Sequence, residues 1–204
     1  MLGIDDFKGL VSSKGGIARA NLFSVSLPTD IPGVTQTKSE INLLCKDVVL
    51  PGRQVTTRER TIGLTTRKMA YGYLIDDISM TFHVLNDYGI KEYFEAWQNA
   101  AVDQETYEIG YKSDYAKDVT INQIKKGRGS TVVNTNQLQT DEIIYSCVLE
   151  EAFPTTMNAI QLNNELDGIL ELNIQLSYTN WRASKFINGI NAQLLNGTQF
   201  SQFL

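Results

Sequence analysis

The residues able to do chemistry are few and far apart. His83 is the sole histidine, and it falls on the polar side of an alternating run from Ile78 to Leu85. A lone strand histidine is far more often a packed or solvated side chain than a catalytic base. Without a second imidazole a His-rich metal site is excluded, and a Ser-His-Asp arrangement has only His83 to use. Cys45 and Cys147 each sit among apolar neighbours in strand-like runs, a setting that predicts two buried free thiols rather than a disulfide or a zinc site. Gly127-Arg128-Gly129-Ser130-Thr131 has the composition of a phosphate cradle, but no helix N-terminus follows to supply a dipole. Asp76-Asp77 and Glu150-Glu151 are sequence neighbours, which in a strand face opposite ways. No phosphate-binding loop motif, dinucleotide fingerprint or nucleophile elbow occurs. The expectation is a chain that is not an enzyme, with no catalytic residue, no metal and no cofactor. The rival on this side is a hydrolase built on His83.

Two clusters suit binding better. Tyr107, Tyr111 and Tyr115 lie within Val102 to Ala116 and would serve as the stacking platform of a carbohydrate-binding β-sandwich module. The segment Arg53 to Asp77 holds Arg53, Arg58, Arg60, Arg67 and Lys68. Thr56, Thr57, Thr61, Thr65 and Thr66 favour strands there, and Gly63 permits a turn between them. This predicts a long, exposed basic hairpin or arm. The plainer reading is a solvated hairpin that touches nothing. Its length, and the interface-prone Tyr71 and Tyr73, weigh against that.

The elements that would position these groups are mostly strands. Asp167 to Trp181 is the most regular stretch: Leu170, Leu172, Ile174, Leu176 and Tyr178 alternate with Glu171, Asn173, Gln175 and Ser177. Such alternation marks a half-buried strand, one side on a core and the other on water or a water-filled space. Ile78 to Leu85 repeats it, with Ile78, Met80, Phe82 and Val84 inward and Ser79, Thr81 and His83 outward. Further strands are expected at Asn21–Leu27, Glu40–Leu50, Lys117–Ile124 and Asp141–Ala152, the last stopped by Phe153-Pro154-Thr155. Tyr88 to Ala101, capped by Asn86-Asp87, carries Ile90, Tyr93, Phe94, Trp97 and Ala101 at helical spacing, so a helix should cover the sheet packing. Short helices are expected around Ile4 to Val11 and over Ser184–Leu195. Loops are expected at Thr29–Lys38 and Lys125–Gln139, and a tail at Asn196–Leu204.

With 204 residues and 42% apolar content, the chain is long enough for one domain with a real core. A net charge of −5 argues against a tight phosphate-gripping nucleic-acid binder. No stretch is apolar enough to span a bilayer, and Met-Leu-Gly-Ile-Asp-Asp-Phe has acids where a signal peptide carries bases.

The order of landmarks is more specific than any one of them. An Asn-Leu-Phe strand comes first, then one ending in Leu50-Pro51-Gly52. A basic arm with Arg67-Lys68 follows, then Asp76-Asp77 and a strand closing in Leu85-Asn86-Asp87. The Tyr93-Phe94-Glu95-Ala96-Trp97-Gln98 helix, a strand closed by Phe153-Pro154-Thr155 and a last strand ending in Tyr178 and Trp181 complete the series. Over roughly Asn21 to Trp181 this resembles the tail tube protein of contractile-tailed bacteriophages, which is related in fold to the type VI secretion tube protein.

The resemblance implies a mainly β fold, a β-sandwich or rolled sheet with one flanking α-helix. Its inner strands would join into a β-barrel across a homo-hexameric ring. It divides the chain into an N-terminal arm (1–20), a tail-tube domain (21–182) and a C-terminal extension (183–204). It implies a structural virion protein whose rings stack into a channel inside the contractile sheath for genome ejection. The partners would be other copies, the tail sheath protein, the tape measure protein, the baseplate, and double-stranded DNA in transit without specific binding. Membrane insertion is not expected. The place would be the virion tail, assembled in the host bacterial cytoplasm. Glu171, Asn173, Gln175 and Ser177 become candidates to face the lumen, with Ser79, Thr81 and His83 as further candidates. Arg53, Arg58, Arg60, Arg67, Lys68, Tyr71 and Tyr73 become an inter-ring or inter-subunit arm. A tube-like protein of the baseplate or tail end is the alternative within the same resemblance.

Overall fold

In the computed structural model, residues 3–34, 38–62, 64–125, 142–162, 168–187 and 190–191 are described. The elements in chain order are α1 (Ile4–Ser13), β1 (Phe23–Ser26), α2 (Lys38–Leu43), β2 (Cys45–Val48), β3 (Gln54–Ile62), β4 (Thr65–Leu74) and β5 (Ile78–His83). They continue with α3 (Gly89–Ala101), α4 (Lys112–Tyr115), β6 (Lys117–Lys125), β7 (Glu142–Met157), β8 (Glu171–Ser177), β9 (Asn180–Ile187) and β10 (Ile190–Asn191). The fold is mainly β, as the alternating runs require. Its contacts divide it into a smaller unit (Met1–Ser24, Asn122–Ser146, Ser184–Leu204) and a larger one (Val25–Ile121, Cys147–Ala183).

The main sheet, most of it in the larger unit, has the order β1-β6-β7-β8-β5-β2, with β9 also on β7, and β3–β4 forms a separate two-stranded sheet. The path runs open from β1 to β2, so one copy closes no barrel among the described residues. The register of β5 against β8 sets Ile78 opposite Leu176, Met80 opposite Ile174 and Phe82 opposite Leu172, which puts one apolar face on the core. All six of these side chains are buried.

Helix α3 covers that face. Ile90, Tyr93, Phe94 and Trp97 of the expected stripe are buried, with Gly89 beside them, while Ala101 is only half-buried. Phe94 meets Phe82 with ring centroids 5.2 Å apart. The polar ends of the large aromatics are satisfied: the Tyr93 hydroxyl donates to the Pro28 carbonyl at 2.6 Å, and the Trp97 indole N–H donates to the Tyr115 carbonyl at 2.6 Å. Burial pushes the Tyr93 phenol above its ordinary range, with Asp30 adding to the effect.

In the smaller unit, the apolar residues of α1 face solvent, and none of that helix is buried. Gln123 donates through Nε2 to the carbonyls of Arg19 and Leu22 at 2.8 and 2.7 Å. Strand β10 pairs with β9 through Ile190–Ile187 and Asn191–Phe186.

Several expectations need correction. Glu40–Leu50 is not one strand: α2 precedes β2, and Ile41, at helical spacing from Leu44, is buried instead. Strand β7 does not stop at Pro154 but runs to Met157, with a register shift between Pro154 and Thr156 that absorbs the missing proline N–H. Ser184–Ile187 is strand, not helix: Phe186 and Ile187 pair with Asn191 and Ile190 of β10. The rest of the expected 184–195 helix, apart from 190–191, lies outside the described residues. So do Gly127–Thr131, most of the 125–139 loop and the 196–204 tail. The cap of α3 is Tyr88 in a left-handed conformation, and Asp87 only accepts a 3.3 Å bond from the Gly89 amide. Cys45 is half-buried rather than buried.

Candidate assembly surfaces

The side of the β8–β5 pair away from the core carries the sequence-predicted lumen residues. Glu171 and Gln175 are exposed, Asn173 and Ser177 half-buried, and Ser79 and His83 half-buried beside them. Thr81 departs from the expectation, since it is buried. Its strand lies between β8 and β2, and Asn173 covers it by donating through Nδ2 to the Thr81 hydroxyl at 3.3 Å. Asn158 in turn donates to Asn173 Oδ1 at 3.0 Å, and Lys46 reaches Glu171 at 2.6 Å. That hydrogen bond to Glu171 raises the Lys46 ammonium above its ordinary value. These bonds link side chains across β2, β5, β8 and the residue after β7, while the buried His83 Nδ1 has no partner among the described residues.

The other predicted residues fall on or beside the β3–β4 hairpin. The strands pair from Gln54–Leu74 to Ile62–Thr65, with a register shift between Thr56 and Thr57. Every residue of β4 is exposed, so Arg67, Lys68, Tyr71 and Tyr73 all meet solvent. At the root, the Arg53 guanidinium lies 5.2 Å from the Tyr73 ring centroid and 5.0 Å from that of Trp181. This cation–π contact ties the hairpin base to β9.

A third surface follows α3. The loop 102–111 is built rigidly: Val102 bridges Ile109, the Asp103 amide donates to the Glu108 carbonyl and the Tyr107 amide to the Asp103 carbonyl. The Asp103 carboxylate accepts the amides of Glu105 and Thr106 at 2.7 and 3.2 Å, which holds its pKa below the ordinary aspartate value. Gly110 is needed because a Cβ there would lie 2.2 Å from the Ala100 carbonyl oxygen. Tyr107 sits at φ +57°, a costly conformation for a tyrosine. Tyr107, Ile109 and Tyr111 are 81%, 79% and 82% exposed. Tyr115 turns away, packing edge-on against Phe153 at 5.3 Å, so the three tyrosines do not make one exposed platform.

The remaining chemically suggestive groups have structural work. Glu150 pairs with Arg182, and Glu151 with Lys112 and the Thr179 hydroxyl. Lys112, then Thr179, hold the Glu151 carboxyl below its ordinary range. Burial pushes the thiols of Cys45 and Cys147 up to about 12 and about 11, so both stay protonated and weakly nucleophilic near neutral pH. Among the described residues no three His, Cys, Asp or Glu side chains are grouped to hold a metal ion.

The profile of the phage tail tube protein family matches residues 18–184, which span most of the main sheet, α3, the hairpin and the 102–111 loop. The chain belongs to that family. No curated protein sequence matches it. The terminating cap of the anti-feeding prophage tube superposes with a TM-score of 0.57 at 18% identity, covering 83% of this chain and 92% of that one. A chain of the anti-feeding prophage baseplate gives 0.56 at 13% identity, covering 82% and 95%. A chain of the extended sheath–tube complex of an extracellular contractile injection system gives 0.51 at 19% identity, covering 83% and 93%. At these identities the likeness is one of fold. The tail tube family places the chain among tube-type structural proteins of the virion tail.

Proposed function

We propose that this chain is a non-enzymatic subunit of a phage tail tube. Six copies form a ring, and rings stack into a channel inside a contractile sheath, on a baseplate. The channel holds the tape measure protein and then double-stranded DNA in transit. The observation that carries this reading is the family match over 18–184. The open main sheet supports it, because edges left unpaired in one copy invite closure across copies. The polar face of β8 and β5, with Glu171, Asn173, Gln175 and Ser177, is the proposed channel wall. Duplex DNA carries about one negative charge per 1.7 Å of axis, so a wall in an acidic subunit lets it pass without gripping it. The tube domain is taken as 21–182, with 1–20 as an arm and 183–204 as an extension. Among the described residues no helix is long and apolar enough to cross a membrane.

Electron microscopy of the purified chain tests this. Stacked six-fold rings are expected. Monomers alone, at high concentration and with baseplate seeds present, would sink the reading.

A further inference from the structure

The hairpin carries a charge imbalance that no described residue of its own chain answers. Its register sets Arg60 directly opposite Arg67 and Arg58 opposite Met69, so three guanidinium groups share one face. Like charges placed directly opposite weaken an antiparallel pair. The one acid between Arg53 and Leu74 is Glu59, on the other face and 3.8 Å from Lys68. Among the described residues, Arg58, Arg60 and Arg67 make no ion pair.

The loop 102–111 has the opposite character. It holds Asp103, Glu105 and Glu108 and no lysine or arginine. The turn amides occupy the Asp103 carboxylate, while Glu105 and Glu108 are exposed and make no ion pair among the described residues. Beside these acids the loop exposes Tyr107, Ile109 and Tyr111. Guanidinium groups stack on tyrosine rings and pair with carboxylates, and Met69 supplies an apolar counterpart to Ile109. The backbone bonds of the loop fix it before any partner arrives, which lowers the ordering cost of binding.

We infer that the Arg58–Arg60–Arg67 face of the hairpin docks on the 102–111 loop of a second copy of this chain. The two surfaces are different patches of one chain, so the contact is heterologous. Such contacts repeat head to tail into rings or open stacks instead of stopping at a dimer. The inference rests on the tube reading and adds to it the surface that receives the hairpin.

Charge reversal on the full chain tests it. Arg58→Glu with Arg60→Glu alters the hairpin, Glu105→Lys with Glu108→Lys alters the loop, and a fourth protein carries all four changes. Sedimentation and electron microscopy read assembly, and thermal melting checks the fold. Either reversal alone should weaken assembly about tenfold or more, and the combined reversal should restore it. A combined protein no better than the single reversals, with all melts native-like, overturns the inference while native rings keep the tube reading intact. So does native assembly by the loop reversal. Duplex-DNA binding that the hairpin reversal abolishes without affecting assembly also overturns it. Native chains that never form rings overturn both readings.

Discussion

The β8–β5 pair and the β3–β4 hairpin are both antiparallel strand pairs, yet opposite forces hold them. Strands β5 and β8 lay Met80, Phe82, Leu172 and Ile174 on a core closed by Trp97 and Phe94. The hairpin has an exposed β4 throughout and a β3 exposed along most of its described length. A two-stranded hairpin with no apolar face covered is marginal in water. The first pair is stabilised within the chain, whereas the second exposes its apolar and basic side chains. On the proposed docking, folding and assembly would be written in different segments, and substitutions should separate them.

The largest separation should come from Ile174→Asp, which buries an unpaired charge in the sheet. It should cost about 4–5 kcal/mol or more and prevent folding, while Gln175→Ala, one residue along, melts like the native chain. Equal melting temperatures for the two would break the assignment of faces. Trp97→Ala should cost about 3–5 kcal/mol, since it opens a cavity under α3 and strips the Tyr115 carbonyl of its donor. Denaturant unfolding of the monomer would show it as a lower midpoint with an unchanged slope. Arg53→Ala should cost the monomer only about 0.5–1 kcal/mol, because it removes cation–π contacts at an exposed site. Its main effect should appear in ring assembly. A loss as large as that for Trp97 would erase the contrast between the regions.

The smallest effect is that of pH on the 102–111 loop. The Asp103 carboxyl is depressed by accepting two backbone amides, so its contribution is fully present above the ordinary value of 3.8 and lost as pH falls through the depressed one. Amide exchange at Glu105 and Thr106 should accelerate over that acid window before the core opens. Protection unchanged from neutral pH to well below the ordinary aspartate range would remove Asp103 as the loop's clasp.

The central sheet was legible in the sequence because a period-two pattern with one buried side admits a single register face, as in Leu172–Ile174–Leu176. The α3 stripe was legible for the matching reason at helical period. Failures came where two patterns fit the same residues. Ile41, Leu43 and Leu44 suit a strand as an apolar run, but Ile41 and Leu44 also share a helical face, and burial of Ile41 decides it. Phe186 and Ile187 suit a helix, but they pair instead with Asn191 and Ile190 further along the chain. Pro154 looked like a stop because a register shift is invisible in one dimension. Among the candidate surfaces, the basic hairpin was visible in composition. The loop was visible as tyrosines, though not its fixed shape, nor the turning of Tyr115 onto Phe153.

The hairpin strands are nine and ten residues long, which at about 3.3 Å per residue gives a reach of about 30 Å. A lever of that length magnifies any play at its base: a tilt of about 10° would carry the fully exposed Leu64 near the tip by about 5 Å. The Arg53 contact with Tyr73 and Trp181 steadies that base. In the proposed stack of identical parts its stiffness would set how closely the far end is placed, a tolerance that compounds from ring to ring.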